Sequence, residues 1–93
     1  MKKHINLQIF GRVQGVGYRY SCMEAAKEFD IKGFVKNRPD GSVYVEAEGY
    51  EDQISLFRLW CYKGPSMAKV TDIYETPGEV RNFENFRIEG TGY

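Results

Sequence analysis

The stretch Ile31–Gly49, IKGFVKNRPDGSVYVEAEG, decides how the rest of the chain has to fold. Two short strand-like runs flank Pro39-Asp40-Gly41. Pro fixes φ, Asp bonds to nearby backbone and Gly accepts a positive φ, so the chain reverses here and the two runs pair as a hairpin. In the second run Val43, Val45 and Ala47 alternate with Tyr44, Glu46 and Glu48, which places one face inward and one outward.

On either side of this hairpin the pattern is a strand and a helix. Ile5, Leu7 and Ile9 alternate with His4, Asn6 and Gln8, the period of a strand with one buried face. From Tyr18 to Asp30 the period becomes helical, with Cys22, Ala25, Ala26 and Phe29 on one stripe; Ser21 is one candidate cap, and a start a residue or two earlier fits equally. Glu51 to Lys63 is helical again through Ile54, Phe57, Trp60 and Cys61, and Gly64-Pro65 stops it. Met67 to Thr76 reads as a strand with Val70 and Ile73 out of phase, as a bulge would make them. Phe86 and Ile88 mark a short last strand. The order predicts an α+β, ferredoxin-like α/β sandwich: βαββαβ plus a short last strand, an antiparallel sheet with two helices on one face.

The totals narrow the function classes. With 93 residues, 13 basic and 13 acidic side chains and zero net charge, the chain fits a single domain over residues 1–93 and is a poor match for a broad phosphate-backbone binder. Its two cysteines, Cys22 and Cys61, fall inside helix-like segments and read as buried reduced thiols. No CxxC or paired Cys/His spacing suggests a metal, and no cofactor is expected. MKKHINLQIF lacks the apolar run of a signal peptide, and nothing approaches a membrane span. A soluble cytoplasmic protein is the expectation. Zero net charge and no apolar stripe beyond the core make a monomer the default expectation, although the sequence does not fix the oligomeric state.

The first strand meets the first helix at Gly11–Arg19, GRVQGVGYR, which contains three glycines but no Ser, Thr, Cys, His, Asp or Glu. Gly15 and Gly17 permit dihedrals closed to other residues and let a ligand approach the main chain. A helix start just beyond adds orphan N–H groups and the positive end of the dipole, and Arg19 can offer a planar fork to two phosphate oxygens. The spacing matches neither a Walker loop nor GxGxxG. On these residues alone, a phosphoryl site and a plain tight turn both remain open. So do two readings of Asn37, as a turn former or as a site residue sharing the parity of Val35.

GRVQGVGYR resembles the first signature of the acylphosphatases, G-x-V-Q-G-V-x-[FY]-R. GFVKNRPDGSVYVEAEG resembles their second, G-[FW]-V-x-N-x-x-x-G-x-V with a closing Gly, and the two stand in the family's order and separation. Tyr18 stands where Phe is common, Phe34 where Trp is common, and GPSMAKVTDIYETPGE departs from the family's uninterrupted strand. The chain also continues past FRI into EGTGY. The resemblance implies hydrolysis of small acyl phosphates, with the phosphoryl group held by the backbone of Gln14, Gly15, Val16, Gly17 and Tyr18 together with Arg19. It implies that Asn37 orients the attacking water, and that the partner is a small molecule rather than nucleic acid or membrane. A carboxylate leaving group needs no general acid, and direct hydrolysis by water needs no protein nucleophile, which fits a loop without Ser, Cys or Asp.

Two rivals share the fold class. Lys32-Gly33-Phe34-Val35 echoes part of an RNA-recognition motif but falls on the second strand and lacks further aromatics. Phosphate-cradling domains within larger carbamoyl-transfer proteins are the other. Elsewhere, Lys36 and Arg38 read as solvated strand charges, His4 as a surface histidine, and Glu46 and Glu48 as solvated carboxylates on an exposed face.

Overall fold

The computed structural model describes residues 1–90, so the last three residues of EGTGY lie outside the described part. Its elements are β1 (Lys2–Arg12), α1 (Tyr18–Glu28), β2 (Lys32–Asn37), β3 (Val43–Tyr50), α2 (Glu51–Lys63), β4 (Lys69–Gly78) and β5 (Phe86–Ile88). The strands form one sheet in the order β4-β1-β3-β2-β5, with both helices packed against it. Each alternating apolar set points into the space beneath the helices. Ile5, Leu7 and Ile9 of β1 and Val43, Val45 and Ala47 of β3 are buried there against Cys22 and Ala26 of α1 and Ile54, Phe57 and Cys61 of α2. The two cysteines are free thiols, both buried. No helix among the described residues is long and apolar enough to cross a membrane.

The hairpin forms as its turn chemistry requires. The Arg38 N–H donates to the Ser42 carbonyl at 2.9 Å, while the Asp40 carboxylate accepts from the Ser42 amide at 2.9 Å and from its hydroxyl at 2.6 Å. The broken alternation of β4 is a register shift against β1: Phe10 pairs with Asp72 but Gly11 with Val70, leaving Thr71 extra. The extra residue returns Val70 and Ile73 to the same inward face. Gly11 is required at this point, since a Cβ there would lie 2.2 Å from the Lys69 carbonyl oxygen.

Two expectations need correction. The sheet is mixed rather than wholly antiparallel, because β5 runs parallel to β2. The chain leaves β4 at the end of the sheet where β2 begins, crosses the outer face through residues 79–85, and so enters β5 in the direction of β2. That crossing explains the second correction: the face opposite the helices is covered. His4, Glu46 and Glu48 are buried, not solvated. The Glu48 carboxylate accepts the backbone N–H groups of Arg81 and Phe83, the latter at 3.0 Å, and pairs with His4 Nδ1 at 2.8 Å. The Phe83 ring packs edge-on against Phe34 and stacks on His4. Lys36 and Arg38 are half-buried as well, and the Arg38 guanidinium lies 4.2 Å from the centre of the Tyr44 ring.

Candidate active site

The joint between β1 and α1 forms the floor of the site. Val13 drops into the core and Val16 packs against it, which pins the loop at two points. Between and after them Gly15 and Gly17 take φ of 75° and 79°, the left-handed region that favours glycine. Gly17 itself is the N-cap, and the helix begins at Tyr18. Ser21 is therefore not the cap: its N–H closes the first helical bond, to the Gly17 carbonyl at 3.1 Å. The amides of the first turn have no intrahelical acceptor and carry the positive end of the helix dipole, so the loop presents N–H groups to an anion.

Tyr18 fixes the direction of that turn. Its side chain is buried, the phenol donates to the Cys61 carbonyl at 2.7 Å, and the ring lies against Trp60. Burial, reinforced by Cys61 and Cys22, pushes its ionisation far up, so the phenol remains a donor at neutral pH. The start of α1 is thereby tied to the end of α2. Gln14 makes the second tie. Its side-chain amide donates to the carbonyls of Arg38 at 2.8 Å and Ser42 at 2.9 Å, clamping the loop onto the β2–β3 turn.

That clamp brings the two sequence motifs together. Asn37 closes β2 opposite Val43, two positions after the fully buried Val35, and so faces the helix side of the sheet. Gly15, Gly17, Tyr18, Arg19 and Asn37 meet around a cleft of about 240 Å³. Gln14 and Val16 do not line it: one is turned to the hairpin and the other to the core. Arg19 lines the cleft, is half-buried and makes no ion pair with the described residues. Tyr20 and Ile88 also line the cleft, and neither was singled out from the sequence. Tyr20 follows Arg19 and could have been suspected. Ile88 reaches the cleft only through the β2–β5 pairing, which no local pattern announces. Among the described residues, no group of three His, Cys, Asp or Glu could hold a metal ion.

The chain is similar to known proteins over nearly its whole length. A family model described as acylphosphatase matches residues 5–88. A curated acylphosphatase from Cupriavidus necator is 45% identical over 92 residues, spanning 98% of this chain and 99% of that protein. The crystal structure of an acylphosphatase from Bacillus subtilis superposes with a TM-score of 0.92 at 36% identity, covering 97% of this chain and 100% of the other. A full-length HypF, solved in a phosphate- and nucleotide-bound form, matches with a TM-score of 0.87 at 30% identity, covering 97% of this chain but only 12% of that one.

Proposed function

The chain belongs to the acylphosphatase family, and from that premise we propose that it hydrolyses the carboxyl–phosphate bond of small acyl phosphates by direct attack of water. The observation that carries the reading is the convergence of Gly15, Gly17, Tyr18, Arg19 and Asn37 on one cleft from two separate motifs. The backbone amides of Gly15, Gly17 and Tyr18 and the Arg19 guanidinium hold the phosphoryl oxygens. Asn37, with one donor and one acceptor on its side chain, places a water in line with the scissile bond. A new O–P bond forms as the P–O bond to the acyl group breaks. The electron pair leaves on the carboxylate, and the proton of the attacking water passes to solvent.

Phosphoryl transfer is loose, with negative charge on the equatorial oxygens, so positioned N–H donors and a guanidinium address the charge that decides the rate. The leaving carboxylate has a conjugate acid with a pKa of about 4 and departs without a proton. An acid beside it would add little, in keeping with a cleft whose lining, among the described residues, includes no carboxylate side chain. The RNA-binding alternative needs Phe34 as an exposed stacking platform. That ring is buried, packed against Phe83 and Tyr44.

The test is phosphate release from acetyl and benzoyl phosphate in EDTA. Arg19→Ala should abolish both turnover and phosphate binding. Asn37→Ala should cut kcat by about a hundredfold or more, the scale of losing one positioned group, while phosphate binding persists. Near-normal hydrolysis by Asn37→Ala would overturn the water-positioning role. Release no greater than in Arg19→Ala would favour a domain that holds phosphate without turning it over.

A further inference from the structure

The cleft has a second, apolar end. Two large apolar side chains that line it stand exposed: Tyr20, with 62% of its surface accessible, and Ile88, with 38%. Other exposed apolar residues, Leu56, Leu59 and Tyr62, lie along α2 and do not touch the cleft. Tyr20 sits in the first turn of α1, the residue after Arg19. Ile88 closes β5, paired with Val35 and held there by the Glu89 N–H donating to the Val35 carbonyl at 2.9 Å. Because Val35 faces the helices, Ile88 does too, and it stands beside Asn37 at the edge of the sheet. The phosphoryl cradle is thus bordered by an aromatic ring from the helix and an aliphatic side chain from the edge strand.

An acyl phosphate held at the cradle carries its acyl group one oxygen away from phosphorus. Tyr20 and Ile88 line the same cleft of about 240 Å³ as Arg19 and Asn37, which is where that acyl group has to lie. We propose that Tyr20 and Ile88 form an acyl-binding subsite that selects acyl phosphates with a flat or bulky apolar acyl group over the acetyl compound. The proposal rests on the hydrolase reading above. Two features favour an acyl group over water as the occupant. The pair is continuous with the phosphoryl cleft, and the Tyr20 ring and the Ile88 side chain together offer an acyl group apolar surface. Contact with the acyl group exists in the ground state as well as the transition state, so the selection acts through KM more than kcat.

The experiment compares kcat and KM for benzoyl and acetyl phosphate in the wild type, Tyr20→Ser and Ile88→Ser. The wild type should favour benzoyl phosphate in kcat/KM by about tenfold, in the range of a modest apolar contact. In each variant the benzoyl-to-acetyl ratio should fall about threefold or more, with the change in the KM for benzoyl phosphate. A ratio unchanged in both variants overturns the subsite while leaving the hydrolase reading intact. Failure of the wild type to hydrolyse either compound removes both readings together. If Ile88→Ser disturbs the edge strand and lowers both activities, the more exposed Tyr20 decides: its ratio either falls, supporting the subsite, or holds, sinking it.

Discussion

Gln14 carries a task that its place in the loop did not announce. Its side chain bridges the glycine loop between β1 and α1 to the carbonyls of Arg38 and Ser42, one on each side of the turn that follows Asn37. The separation between the loop amides and Asn37 is therefore held by two hydrogen bonds from one residue. Gln14→Ala should cost about 1–3 kcal/mol in urea denaturation. It should also lower kcat more than it weakens phosphate binding, because the loop keeps its amides while Asn37 loses its fixed distance from them. Equal losses in kcat and phosphate affinity would mean that Gln14 only shapes the loop. At this scale the facing of Asn37 was legible, since strand parity with Val35 sets it. The side-chain role of Gln14 was not, because it depends on a turn that lies more than twenty residues further along the chain.

Among the elements, the segment of residues 79–85 has the largest influence for the least sequence signal. It crosses the outer face of the sheet, where Glu48 accepts the N–H groups of Arg81 and Phe83 and also pairs with His4. Burial alone would raise the Glu48 carboxyl. The Arg81 N–H, His4 and the Phe83 N–H more than offset it, and the group lies below the ordinary carboxylate range. A carboxyl lower in the folded than in the unfolded chain stabilises the fold above the unfolded value of about 4.3. That contribution is lost as pH falls through the folded value. Glu48→Gln should therefore destabilise the protein by about 2–4 kcal/mol at pH 7, with the gap to wild type narrowing below about pH 4. Urea titrations of both proteins at pH 7 and pH 3.5 measure it. A gap of equal size at both pH values would show that shape, not charge, holds the segment. His4, Glu46 and Glu48 were misread because alternation marks which face lies under the helices but not what covers the other. An irregular covering segment has no period to detect. β5 escaped in the same way: its direction follows from where the crossing ends.

For the whole molecule, the local periods carried nearly all of the architecture: the hairpin, both helices and even the bulge in β4 were visible as phase in the apolar pattern. What they could not carry was contact between distant parts of the chain, such as the loop with the turn or β5 with the cleft. The cleft is itself such a contact, bringing Gly15, Gly17, Tyr18 and Arg19 to Asn37 only once β1, β3 and β2 have paired. An unfolded chain has no such site, so an anion that binds there must stabilise the fold as a whole. Inorganic phosphate at ten times its dissociation constant should add about 1.4 kcal/mol. For a domain of this size that raises Tm by about 5–10 °C. The control is sodium chloride at matched ionic strength, which separates site binding from screening. Arg19→Ala should lose the shift, whereas Asn37→Ala should keep it even though its turnover has fallen. A shift that survives in Arg19→Ala at the same phosphate concentration would mean that phosphate acts as a general salt. The loop would then hold no anion, and the division of labour between Arg19 as anchor and Asn37 as guide for the water would fall with it.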